Sequence, residues 1–373
     1  MIRKFSALLL ASSLVLAACG GSSGSSSDDA RSKLFDAVDN LTGSAQTITV
    51  SVDSTPESLQ AIAKDDGSEL STETAQKILD SSFSLATNGA SDPKDAQAQL
   101  VLNVAGSDDV EIRVVDQVVY VRADVHSLLS TFGQDPSQAD AIAQQAAASG
   151  YSFVGSLIQG KWVALEGLAE LMQSLGGASP ASSSVGQVGQ IEDKLLEAFK
   201  GTASVSDEGS DSVGDHLVAS FPLRDLASKL VDALKSINPA AAQTAPDLSK
   251  VPDKDVKLDA WVKDGKLVQV EFNFLQINDL AENDSDKLPE GVTKFALKVG
   301  FAPFSGTVEA PSGAVEVNMQ QLLQTIMGGL GGSSSGSGSG SYAGNGSLNS
   351  FCKQLKAEPP SVQKQFKDQC PNL

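Results

Sequence analysis

Few side chains in this sequence are of a type that does chemistry. There are three cysteines, at 19, 352 and 370, and two histidines, His126 and His216. A metal site needs His, Cys or carboxylate ligands at short, fixed spacing, such as two His at i and i+4 with an acidic neighbour. Neither histidine stands in such a spacing, so both read as surface or strand-face residues. The acidic pairs Asp65-Asp66 and Asp108-Asp109 fall at expected turns. They read as solvated faces rather than a catalytic dyad or a calcium loop. No Gly-x-Ser-x-Gly elbow, phosphate loop or dinucleotide fingerprint stands in a strand–turn–helix context. The glycines of 331–340 lie in a Ser/Gly run with no Lys and no following helix. These residues argue for no enzyme, no metal and no cofactor. What is left is the thiol of Cys19 and the cysteine pair near the other end.

Cys19 closes a leader. Arg3 and Lys4 open it, and Phe5 to Ala18 carries no charge, with Leu8, Leu9, Leu10, Leu14, Val15 and Leu16 as its apolar core. That run is short for a transmembrane helix and suits a secretory leader. Leu16-Ala17-Ala18-Cys19 resembles the lipobox of bacterial lipoproteins. The resemblance implies cleavage before Cys19, a diacylglyceryl thioether on its sulfur and acylation of the new amino group. An ordinary secretory leader cut after Ala18 is the alternative. The expected address is extracytoplasmic, at the outer face of the cell membrane, with acylated Cys19 as the membrane contact. Two or three acyl chains anchor stably where one does not.

Cleavage would leave 25 basic against 46 acidic residues, a formal charge of −21 where the whole chain has −19. Such acidity opposes nucleic acid, whose phosphates need Lys and Arg. It equally opposes adhesion to anionic headgroups through basic patches. Apolar residues make up 41% of the chain, enough for a large core.

The elements must then be read from periodicity. Residues 1–18 are the leader and 19–29 a Ser/Gly tether. The body, 30–327, has the length of one large or two intimately joined domains. Asp29 to Leu41 reads as an amphipathic helix with Leu34, Val38 and Leu41 on one face, capped by Asp28 or Asp29. Ile48, Val50 and Val52 alternate as a strand; Pro56 to Leu79 is helical or irregular; Phe83 and Leu85 mark the next strand. Ala96 to Ala123 is a β-meander that runs into Asp124, the N-cap of a helix over Val125 to Phe132. Pro136 to Ala148 is helical, Lys161 to Leu165 a strand, and Gly167 to Leu175 and Ile191 to Phe199 helices around a low-complexity loop. Strands Thr202 to Ser206 and Asp215 to Phe221 lead to a helix from Leu223 to Ile237 with a Leu226, Leu230, Val231, Leu234 stripe.

The last sheet segment is the most regular. Val256, Leu258, Ala260 and Val262 alternate with Lys257, Asp259, Trp261 and Lys263. Asp264-Gly265 makes a tight hairpin, because both central residues tolerate positive φ. The return strand sets Val268, Val270, Phe272 and Phe274 against Leu267, Gln269, Glu271 and Asn273. Thr293 to Phe301 repeats the scheme with Phe295, Leu297, Val299 and Phe301. Val308 extends a short strand, and a helix over Val315 to Met327 closes the body. The pattern rules yield about eleven or twelve strands and six or seven helices. Residues 328–348 form a Gly/Ser linker. Residues 349–373 form a small helical hairpin that brings Cys352 beside Cys370. Outside the cytoplasm the pair most simply forms a disulfide, worth about 3 kcal/mol on the loop-entropy model.

The leader, the tether, the stretch Val118-Val119-Tyr120-Val121-Arg122-Ala123-Asp124 running into a helix, and the hairpin Leu258 to Val268 resemble the LppX/LprG class of actinobacterial lipoproteins, whose architecture is LolA/LolB-like. The resemblance implies an α+β fold. A strongly curved antiparallel sheet would form half a barrel, helices would cover its concave face, and a hydrophobic cavity between the layers would take acyl chains. On that reading Phe221, Val270, Phe272, Phe274, Phe295, Leu297 and Phe301 line the covered side. The protein would bind or transfer a lipid or glycolipid. The same residues equally suit a filled core, since alternation does not separate a packed interior from a hollow one. The alternative is a cell-surface interaction module with a solid core and a protein partner at 349–373. A subunit presenting a soluble ligand to a transporter is a third reading.

Overall fold

In chain order the elements are α1 (Ser26–Asp39), β1 (Gln46–Ser54), α2 (Pro56–Asp65), α3 (Thr72–Leu79), β2 (Ser82–Thr87), β3 (Ala98–Val104), β4 (Ser107–Val115), β5 (Val118–Ala123), α4 (Val125–Thr131), α5 (Ser137–Ala148), α6 (Phe153–Ile158) and β6 (Val163–Glu166). A helical segment at 196–202 follows, then β7 (Ser204–Ser210), β8 (Asp215–Pro222), α7 (Leu223–Ile237), β9 (Asp255–Lys263), β10 (Lys266–Asn273), a 3-10 turn (Phe274–Gln276), α8 (Ile277–Leu280), β11 (Phe295–Pro303) and β12 (Val315–Asn318). The computed structural model describes residues 26–41, 44–90, 92, 94–148, 151–167, 196–237, 248, 251–281, 283 and 286–319. Cys19 with its leader, residues 168–175 of the helix expected over 167–175, the linker 328–348 and the unit 349–373 with Cys352 and Cys370 lie outside the described residues. The chain divides into two units, Met1–Val317 and Asn318–Leu373.

The strands make one open sheet, ordered β12-β6-β5-β4-β3-β2-β1-β11-β10-β9-β8-β7, which does not close into a barrel. The pairings from β6 round to β7 are antiparallel. β12 at the β6 edge makes the sheet mixed, which corrects the expectation of a wholly antiparallel one. The central junction is β1 with β11, Val50 opposite Val299, so the two ends of the body's sequence meet mid-sheet.

Register sorts the side chains into two faces. Val121, Ile112, Leu100, Leu85, Ile48 and Phe301 form one continuous apolar row across six strands. Val50, Val299, Val270, Ala260 and Leu217 form the next. The opposite face carries Arg122, Glu111, Ser84, Thr49, Lys298, Glu271, Asp259 and His216. Helix α1 packs on β7, β9 and β10, α7 on β8, α3 on β1, and α4 and α6 on β4, β5 and β6. The main core therefore sits over the β1-to-β7 half, where Ala37 and Leu34 of α1 bury with Leu217, Ala219, Val262 and Val299. The apolar row over β2 to β5 is only half-buried, and Phe83 remains 37% exposed.

Local chemistry sets the element ends. Thr55 caps α2 ahead of Pro56, and Ser71 caps α3, so the ambiguous stretch from Pro56 resolves into two helices separated at Gly67. Asp124 Oδ1 accepts from Ser127 N at 2.9 Å, the expected N-cap. Asp264 and Gly265 take φ of 53° and 71°, the hairpin expected there.

Other expectations are corrected. Val315 begins a strand, not a helix: Val315 and Val317 alternate with polar neighbours, and Val315 N donates to Trp162 O at 2.8 Å. Val308 is in no strand; it is buried, with its N donating to Gln97 Oε1. Asp28 and Asp29 lie inside the first turn of α1, which starts at Ser26, where they suit the helix dipole rather than a cap. Residues 196–202 are helical through Thr202, and β7 starts at Ser204. Asp109 is not a solvated turn residue. β4 begins at Ser107, so Asp109 is a strand residue on the face of Glu111, only 2% exposed.

Candidate apolar ligand site

A cavity of about 140 Å³ lies between α1 and the sheet. The helices supply Leu34, Phe35 and Val38 from α1, Leu196 and Phe199 from the 196–202 segment, and Leu226 from α7. The sheet supplies Ala219 and Phe221 of β8, Val256, Leu258 and Ala260 of β9, Leu267, Val270 and Phe272 of β10, and Leu297 and Val299 of β11. Every lining side chain is apolar. A space so lined disfavours water, because no side chain of its wall offers a hydrogen bond. Ala219 and Ala260 explain the gap: they are small side chains on sheet positions facing a helix layer.

Polar contacts on its outer side pin α1 over this space. Lys33 Nζ lies 2.5 Å from Asp215 Oδ2, and Lys200 Nζ lies 2.9 Å from Asp39 Oδ1. The Arg31 guanidinium donates to the carbonyls of Lys200 and Ala203 and stacks on Phe35. Asn40 Nδ2 donates to Gly265 O at 3.1 Å. Hydrogen bonds from Lys33 and Ser210 hold the Asp215 carboxyl below the usual aspartate range.

Four of the seven expected lining residues meet at this cavity: Phe221, Val270, Phe272 and Leu297. The other three do not. Phe274 leaves the strand for the 3-10 turn, which Asn273 caps through Leu275 N. There its ring packs on Phe272 and Phe295, with centroids 4.9 and 5.0 Å apart. Phe301 lines a second cavity of about 340 Å³, next to the first. Leu267, expected on the opposite face, lines both cavities. A bulge between Leu267 and Gln269 resets the alternation, so Leu267 and Val270 bury together. The helix contribution was visible only as stripes. Leu34, Val38 and Leu226 lie on expected apolar faces, and Phe199 on an expected helix, but helical periodicity does not distinguish filled from hollow packing.

The polar face holds paired charges. Buried Glu111 accepts from Gln99 and Arg113 at 2.6 Å and from Arg122 at 3.0 Å. The Trp162 ring lies under both guanidinium groups, at 4.8 and 5.5 Å. Paired so, a buried carboxylate is tolerated. His216 stacks on Trp261 at 4.6 Å and meets Asp259 at 2.7 Å; His126 meets Asp140 at 3.1 Å. Among the described residues no group of three His, Cys, Asp or Glu is placed to hold a metal ion. Among them also, no helix is long and apolar enough to cross a membrane.

No protein-family model and no curated protein matches the chain. Among solved structures, the crystal structure of the Mycobacterium tuberculosis lipoprotein LppX aligns with 76% of this chain and 98% of its own, at 9% identity and a TM-score of 0.32. A likeness at that score carries no argument about fold or function.

Proposed function

We propose that this protein is a membrane-anchored, non-catalytic lipoprotein that holds an acyl chain of a lipid or glycolipid between its helix layer and its sheet. The observation that carries this is the first cavity's wall, which contains no polar side chain. Burial of chain methylenes there contributes about 0.8 kcal/mol each. The volume narrows what is held. About 140 Å³ is below the roughly 300 Å³ floor of ordinary ligand pockets and near that of dry cavities that take a benzene-sized group. The ligand is therefore part of one chain rather than a whole two-chain lipid. The open sheet is read as half a barrel with α1 and α7 on its concave side. Anchoring rests on the lipobox-like Leu16 to Cys19.

A spin-labelled fatty acid titrated into the full chain tests the binding. A saturable immobilised component, one per chain, is expected; its absence overturns the proposal. For the anchor, Cys19→Ser should move the protein from the membrane fraction to the soluble extracytoplasmic one. The small volume also favours a second reading, an interaction module with an essentially filled core. That reading expects no saturable chain binding.

A further inference from the structure

The second cavity has a different wall from the first. Leu41, Phe301 and Pro303 form an apolar side, and Lys263, Asp264 and Lys266 of the β9–β10 hairpin form a charged one. It continues the first cavity along the same elements. On α1, Leu34 and Val38 face the first cavity and Leu41 the second; on β11, Leu297 and Val299 face the first and Phe301 the second. Leu267, 4% exposed, belongs to both and stands between them. The run from Leu297 to Pro303 spans about 20 Å at about 3.4 Å per strand residue.

Two features of the second cavity's wall could serve a ligand. Lys266 is paired directly with Lys263 across the two-residue turn. Like charges so opposed repel each other. Neither lysine has an ion-pair partner among the described residues. Gln46 also lines this cavity, and its Oε1 is buried without a hydrogen-bond donor. An anion between the two ammonium groups would relieve the repulsion, and a hydroxyl or amide next to that anion would serve Gln46. In a chain of net charge −19, a rim with two exposed lysines against the single Asp264 carboxylate is a selective feature.

We propose that the second cavity takes the anionic head of a single-chain amphiphile whose chain passes Leu267 into the first cavity. This rests on the acyl-chain reading of the first cavity. The head chemistry, a carboxylate or a phosphate, is common to free fatty acids and lysophospholipids.

The test uses the full chain carrying Cys19→Ser, so that no acyl anchor of its own competes. A fatty acid, the fatty alcohol of equal length and a lysophosphatidylglycerol of equal length are titrated below their micelle thresholds. At least one anionic amphiphile should bind about fivefold more tightly than the alcohol, the worth of roughly two exposed charge contacts. Which anion gains identifies the head as carboxylate or phosphate. Lys263→Gln with Lys266→Gln should abolish that preference and leave alcohol binding unchanged, which also reports that the variant is folded. Equal binding of acid, lysophospholipid and alcohol, or a preference that survives the double substitution, overturns the head site while the chain site stands. No binding of any of the three overturns the chain site and this inference with it.

Discussion

Phe199 and Phe221 meet edge to face across the helix–sheet boundary, with ring centroids 5.2 Å apart and planes at 87°. Both rings line the first cavity, so one aromatic contact both closes the core and bounds the space within it. Phe221 is 5% exposed. Phe221→Ala should therefore cost about 3–5 kcal/mol, the usual range for deleting a buried ring. Urea unfolding measures it. A loss below about 1 kcal/mol would mean that the two layers are not packed through this pair.

Ala260 distinguishes a hollow interior from a filled one. It is 1% exposed and faces the cavity. If the space is empty, Ala260→Leu fills it, and stability stays within about 1 kcal/mol of the parent. In a core already packed, the added methylenes cost about 1–3 kcal/mol. The same substitution should weaken acyl-chain binding about tenfold, about 1.4 kcal/mol. Thermal unfolding and a chain-binding titration on one sample read both effects.

The anchorage of α1 depends on pH through Asp215. Lys33 and Ser210 hold this carboxyl below its usual range. A depressed carboxylate adds stability above the ordinary aspartate value, near pH 4, and that stability is lost as pH falls through the lowered one. Asp215→Asn should lower the melting temperature at pH 7 and flatten its decline below about pH 4. Melting curves across that range check it; a parallel acid limb in parent and variant contradicts it.

Glu271 carries the opposite sign. Burial, then the neighbouring Asp53 carboxylate, push it above the usual glutamate range. Such a group destabilises the fold where it is charged and ceases to do so as pH falls through its raised value. Glu271→Gln should raise the melting temperature at pH 7, with the advantage shrinking toward pH 4. A constant advantage across that range would assign the gain to something other than ionisation.

The two-faced sheet was legible in the sequence because period-two alternation is a direct record of burial. Ile48 with Val50 and Val52, and Ala260 between Leu258 and Val262, fall where alternation puts them. The breaks in that pattern were not legible. Leu267-Val268 is apolar on both sides of the bulge, so no polar residue marks the shift. Asp109 reads as turn chemistry, yet its strand begins two residues earlier. Strand order was not legible either, because β1 pairs with β11 through contacts distant in sequence. The cavity depends on how far helix side chains reach over Ala219 and Ala260, a distance that no periodicity encodes. Hence four of the seven expected lining residues meet there, and Leu267 joins them unforeseen.

The most direct measurement is native mass spectrometry of the full chain carrying Cys19→Ser, purified from a lipid-rich host, beside the same chain with Ala260→Leu. One acyl ligand per chain is expected in the first and a clearly smaller ligand-bound fraction in the second, in line with about tenfold weaker binding. A bare mass in both, with no uptake of added labelled fatty acid, would contradict an acyl-holding interior and leave a filled core.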